Sequence, residues 1–143
     1  MTPEELSAVG LRYEVEGPVA TITLSRPEVR NAQTPAMWRA LAGLGAAIPD
    51  EVRVVVVQGE GEHFSSGLDR SVLDPRGNAA GGESVLALLA GSDEAMADTI
   101  GEYQEGFTFL RDPRFVSGVS AAPLPARRRE NRDDFRSRTR YHR

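Results

Sequence analysis

The residues best suited to chemistry in this 143-residue chain lie in one short run, His63-Phe64-Ser65-Ser66-Gly67-Leu68-Asp69. Small residues in succession let the backbone approach a ligand closely, since glycine has no Cβ and serine little beyond it. An amide presented by such a loop can donate to an oxygen on which negative charge develops, a service worth about 3 kcal/mol of barrier. Read alone, the run is an ordinary surface loop. Asp69 is placed to order it by accepting from nearby backbone N–H groups, and His63 reads as a surface histidine. Upstream, Arg26 and Arg30 bracket Pro27-Glu28-Val29. A planar guanidinium can grip two phosphate oxygens at once, while a solvated surface arginine is the alternative for each. The chain has no cysteine, which excludes disulfides, thiolate metal sites and a thiol nucleophile; no metal site and no prosthetic group are expected.

Periodic segments on either side must position these residues. Leu11–Glu16 alternates apolar and polar, Gly17-Pro18 interrupts it, and Val19–Leu24 resumes as a β-branched run, so a hairpin is expected. Ser25-Arg26-Pro27-Glu28 leaves it as a loop. Thr34-Pro35 is a helix start, and Met37, Leu41, Leu44 and Ile48 follow on one helical face. Trp38 lies off that face and reads as a packing residue. Val52–Val57 is almost wholly apolar, the pattern of a strand buried on both faces. Strand, helix, strand in this order predicts a crossover unit and an α/β class. Asp74–Gly82 is a loose Gly/Pro/Asn-containing segment, Ser84–Leu89 has room for one or two helical turns, and Ser92 caps a longer helix. That helix presents Met96, Ile100, Tyr103, Phe107 and Leu110. Periodicity ends after about Phe115, so a disordered tail is expected beyond residue 116.

Charge divides the chain at a similar point. All 17 basic residues are arginine, and eight of them lie between Arg127 and Arg143 beside only Glu130, Asp133 and Asp134, a balance of +5. The preceding 126 residues hold nine arginines against 18 acids, a balance of −9. The tail could contact an acidic partner as an interaction module, but it carries no nucleic-acid motif and no nucleic-acid partner is expected. No apolar run approaches the roughly 20 residues that span a bilayer. The acidic Met1–Glu5 start is not followed by a leader-like stretch, so a cytoplasmic location is expected.

Three segments taken together resemble the enoyl-CoA hydratase/isomerase (crotonase) family. They are Ile22–Ala32 with its Arg-Pro and Asn-Ala, Val54–Gly61 running into a glycine turn, and His63–Asp69. The resemblance covers roughly residues 10–115. It implies residues 1–116 as the N-terminal part of the crotonase-type ββα spiral, an acyl-CoA-binding domain, and 117–143 as an arginine-rich tail. It implies an acyl-CoA thioester as ligand, with coenzyme A part of the substrate. The Leu68 N–H would be the first oxyanion donor to a thioester enolate, and Arg26, Arg30, Ser66, Gly67 and Asp69 would lie on the coenzyme A side. Family members are usually trimeric or hexameric.

The same resemblance implies a second oxyanion donor from a later Gly-x-x-x-Gly-Ala/Gly-Gly motif, and two glutamates that act as acid and base. Neither motif nor glutamates appear in this frame, and Glu130 matches neither position. The region used for trimerisation is missing as well, so a truncated, catalytically impaired or non-catalytic product is expected. Re-reading Arg132–Tyr141 one nucleotide forward, with arginine codons ending in G, can yield a Gly-x-x-x-Gly-Ala-Gly-x-Gly run. A frameshift between about Ser117 and Arg132 is therefore an expectation, one the nucleotide sequence of the gene decides.

Overall fold

The computed structural model describes residues 1–74, 84–85 and 91–120. Thr2 opens a first helix, α1 (Pro3–Ala8), an element beyond those expected from the sequence. Its hydroxyl accepts from the Glu5 N–H at 3.2 Å, and the Glu5 carboxylate accepts from the Thr2 N–H at 2.7 Å. Two otherwise orphaned donors are thus satisfied. β1 (Leu11–Glu16) and β2 (Val19–Leu24) form the expected antiparallel hairpin. Its turn holds Gly17 at φ +55°, which glycine adopts without a side-chain clash.

Thr34 caps α2 (Pro35–Ala46), accepting from the Met37 N–H at 3.3 Å, with Pro35 in the first turn where its missing N–H costs nothing. Met37, Leu41, Leu44 and Ile48 are all buried, as their spacing predicted. β3 (Val54–Gly59) starts two residues later than expected. Val52 is buried in the turn before it, and the Arg53 and Val54 N–H groups both donate to the Pro18 carbonyl. Val55 and Val57 are buried while Val54, Val56 and Gln58 are only half-buried, so β3 is covered on one face rather than both. Among the described residues the helices contribute to a single core with Leu11, Ala20, Ile22, Leu24, Val55 and Val57.

Ser92 caps α3 (Asp93–Thr108), which tightens into a 3₁₀ turn over Phe109–Arg111. Of its expected apolar face Tyr103 is buried, whereas Ile100 and Phe107 are 44% and 41% exposed. α3 sits close against α2 through Gly106, where a Cβ would come within 2.6 Å of the Trp38 carbonyl oxygen. The Trp38 and Tyr103 rings meet with centroids 5.0 Å apart.

The chain then continues as β4 (Val116–Ser120), parallel to β3, past the point where the hydrophobic pattern gives out. Five residues with glycine at the centre and two serines carry too little alternation to announce a strand. The sheet order is β1-β2-β3-β4, with only the β1/β2 pair antiparallel. The α/β class and the β2–α2–β3 crossover are as expected. Of Asp74–Gly82 only Asp74 is described, and of Ser84–Leu89 only 84 and 85. The Arg127–Arg143 tail lies outside the described residues. No helix among the described residues is long and apolar enough to cross a membrane.

Candidate functional site

Two loops on the same edge of the core, one after β2 and one after β3, are laced together by Asn31. It is fully buried and sits at φ +54°, a left-handed conformation that asparagine tolerates better than most residues. Its Oδ1 accepts from the Arg26 N–H at 2.9 Å, and its Nδ2 donates to the Glu60 and His63 carbonyls at 2.9 and 2.8 Å. One side chain thereby closes the first loop on itself and holds the second to it. His63 contributes its carbonyl; its side chain is exposed, as expected.

The run from Ser65 to Asp69 is held residue by residue. The Ser65 hydroxyl donates to the Asn31 carbonyl at 2.8 Å and accepts from the Gly67 N–H at 3.1 Å. The Ser66 N–H donates to the Arg30 carbonyl at 2.8 Å, and its hydroxyl to that of Val29 at 3.3 Å. Gln33 pairs with the run as a short parallel bridge. Its N–H donates to the Gly67 carbonyl and its carbonyl accepts from the Asp69 N–H, both at 2.8 Å. Gly67 stands at φ +90°, which permits the sharp turn into Leu68. The amides of residues 66, 67 and 69 are therefore engaged. The Leu68 N–H donates to no described residue, and Leu68 is 37% exposed.

Arg26 is turned toward Asp69, between the two loops. Its guanidinium lies 2.8 Å from Asp69 Oδ2 and donates to the Ala32 carbonyl at 2.7 Å, with only 26% of its side chain exposed. Burial pushes the Asp69 carboxyl up. Hydrogen bonds from the Ser71 N–H and hydroxyl, at 3.0 and 2.8 Å, and the Arg26 charge outweigh that and hold it below the usual carboxylate range. Arg26 and Asp69 are thus an internal brace between the loops.

Arg30, Ser66, Leu68 and Asp69 border an open cleft of about 480 Å³, together with Glu28 and Arg70. Neither the Arg30 nor the Arg70 guanidinium takes a partner among the described residues. Arg70 was not anticipated: it follows the motif, and only the 3₁₀ turn Arg70–Leu73, capped by Asp69, brings it to the cleft. A separate apolar cavity of about 160 Å³ lies between Leu41, Val57, Phe64 and Phe109, with Gln33 at its wall. No described group of three His, Asp or Glu side chains could hold a metal ion. A cleft with an unpaired amide and two unpaired guanidiniums suits a ligand carrying a polarisable carbonyl at one end and phosphates at the other.

No family model matches the chain. A Mycobacterium tuberculosis protein whose name places it among the enoyl-CoA hydratases is 45% identical over 71 residues, which is 45% of this chain and 21% of that protein. The mitochondrial Delta(3,5)-Delta(2,4)-dienoyl-CoA isomerase of Mus musculus is 35% identical over 99 residues, 64% of this chain and 28% of its own. A Thermobifida fusca protein, also named as an enoyl-CoA hydratase, has been solved with acetoacetyl-CoA. It superposes with a TM-score of 0.76 at 45% identity, covering 84% of this chain and 46% of its own. Its structure with CoA gives a TM-score of 0.74 at 43% identity. The chain thus spans about a quarter of the curated relatives it matches and under half of these solved structures. Those relatives and neighbours are enoyl-CoA hydratase/isomerase (crotonase) family proteins, the family that the three motifs resemble, and the fold over the described residues is theirs.

Proposed function

We propose that this chain, whose relatives and structural neighbours are enoyl-CoA hydratase/isomerase proteins, binds an acyl-CoA thioester and polarises its carbonyl through the Leu68 N–H. The observation that carries this is the state of four consecutive amides. Three are tied into the loop and the fourth, at Leu68, is presented unpaired at the cleft. A donor fixed in advance costs no reorganisation when charge develops on the thioester oxygen. Arg30 and Arg70 are placed for the phosphates of the coenzyme A portion, while Ser66 and Gly67 let the backbone approach it. Arg26 and Asp69 take part only by bracing the loops.

The reaction class this serves is hydration or isomerisation of an enoyl thioester, in which an enolate must be stabilised. The structures of the Thermobifida fusca neighbour with CoA and acetoacetyl-CoA support the ligand class. Calorimetric titration of the 143-residue chain with crotonyl-CoA and with CoA tests the reading. The thioester should bind more tightly than CoA. Leu68→Pro, which removes the N–H, should abolish the difference without weakening CoA. Equal binding of the two ligands by the unmutated chain would overturn the carbonyl role. Arg30→Ala and Arg70→Ala should each weaken CoA by about tenfold, an effect that fades with added salt.

A further inference from the structure

We infer that Gln33 is the positioning residue of the Leu68 amide, and that it transmits the packing of α2 and α3 to that amide through Trp38; the inference rests on the proposed thioester-carbonyl role of Leu68. Among the described residues, Gln33 alone holds the loop on both sides of Leu68. Its backbone grips Gly67 and Asp69, the two neighbours of the donor, at 2.8 Å each. Its side chain holds the loop at a third point, Nε2 donating to the Ser65 hydroxyl at 3.1 Å. That hydroxyl in turn accepts from the Gly67 N–H.

The amide of Gln33 is itself oriented. Its Oε1 accepts from the Trp38 indole N–H at 2.8 Å, which leaves Nε2 toward Ser65. The Trp38 ring lies against the Tyr103 ring and its backbone beneath Gly106 of α3, so the residue sits in the seam between the two helices. Trp38, Gln33, Ser65 and the Gly67 N–H form one hydrogen-bonded chain from the helix pair to the residue before the free donor, and the Gln33 N–H holds the Gly67–Leu68 peptide itself through its carbonyl. Such a chain limits the amide to a narrow range of directions, and direction is what an oxyanion donor must have. An apolar residue at position 33 would keep the backbone bridge and lose the third point of attachment.

Acetoacetyl-CoA is the probe, because its C2 proton passes to buffer and the resulting enolate absorbs in the near ultraviolet. A donor aimed at the oxygen raises the enolate fraction, whereas CoA has no thioester carbonyl and reports only the rest of the cleft. Gln33→Leu in the full 143-residue chain should lower the enolate band and the preference for acetoacetyl-CoA over CoA by about tenfold, with CoA affinity unchanged. Ser65→Ala should do the same, and Gln33→Glu should fail to rescue, since its carboxylate offers Ser65 no donor. Should Gln33→Leu fail to fold, Ser65→Ala alone decides. A normal band and preference in a folded Gln33→Leu or Ser65→Ala chain would overturn the positioning role and leave the Leu68 reading standing. Absence of band and preference in the unmutated chain would instead overturn both.

Discussion

Replacing Asn31 by alanine is the sharpest test of how the site is held. The substitution leaves the Arg26 N–H without an acceptor and the Glu60 and His63 carbonyls without donors. A buried polar group left unpaired costs about 1–3 kcal/mol. Because these groups lie at part-buried loop positions, the low end applies, giving about 3 kcal/mol for the three. Alanine at φ +54° adds about 1 kcal/mol of backbone strain that asparagine avoids. The expected loss is about 4 kcal/mol, a large fraction of the 5–15 kcal/mol typical of a domain. Urea unfolding followed by the emission of Trp38, the only tryptophan, measures it. Asn31→Gly should recover about 1 kcal/mol, since glycine removes the strain and restores none of the hydrogen bonds. A loss under about 1 kcal/mol for Asn31→Ala, or a glycine variant no better than alanine, would refute the reasoning.

Three other substitutions probe different forces. Gly59→Ala places a Cβ within 2.5 Å of the His63 and Phe64 carbonyl oxygens. These are backbone atoms that cannot swing aside, so about 2–3 kcal/mol should be lost in the same urea assay. Tyr13 buries a hydroxyl with no hydrogen-bond partner among the described residues, and burial raises its pKa above the ordinary 10.0. Tyr13→Phe should be neutral or stabilising by about 1 kcal/mol. It should also remove the part of the stability that declines as pH rises above that ordinary value, read from melting temperature against pH. Asp69 has the opposite sign. Its folded pKa lies below the ordinary 3.8, so its stabilisation is present above that pH and is lost as pH falls through the lower folded value. Asp69→Asn should flatten that acid limb and, by releasing Arg26, lower stability at neutral pH.

Much of the fold was legible because its elements obey local rules. The hairpin followed from alternation and Gly17-Pro18, and α2 from Thr34-Pro35 with one apolar face. α1 is written in Thr2, Pro3 and Glu5, a cap and its reciprocal partner three residues on, but its six residues are too short to show an apolar period. β4 was not legible, because Val116–Ser120 gains its strand character from pairing with β3 and not from its own pattern. The motif loop was found from its small residues, and Leu68 within it from the family resemblance. What sequence could not provide was the division of labour among the charged residues. Arg26 and Arg30 look alike four positions apart, but the left-handed Arg30-Asn31 pair sends one toward Asp69 and leaves the other at the cleft. The roles of Gln33 and the Trp38 N–H are not legible in the sequence, because Ser65 lies 32 residues from Gln33 and Gln33 five from Trp38, contacts that no periodicity encodes.

The proposed function turns on one hydrogen bond, from the Leu68 N–H to a thioester oxygen. Isotope-edited infrared spectroscopy of acyl-CoA labelled at the thioester carbonyl carbon observes it directly in the intact chain. The carbonyl stretch should shift to lower frequency on binding, and the shift should disappear in Leu68→Pro with the ligand still bound. A bound thioester whose carbonyl stretch matches that in buffer, or a shift that survives Leu68→Pro, would contradict it.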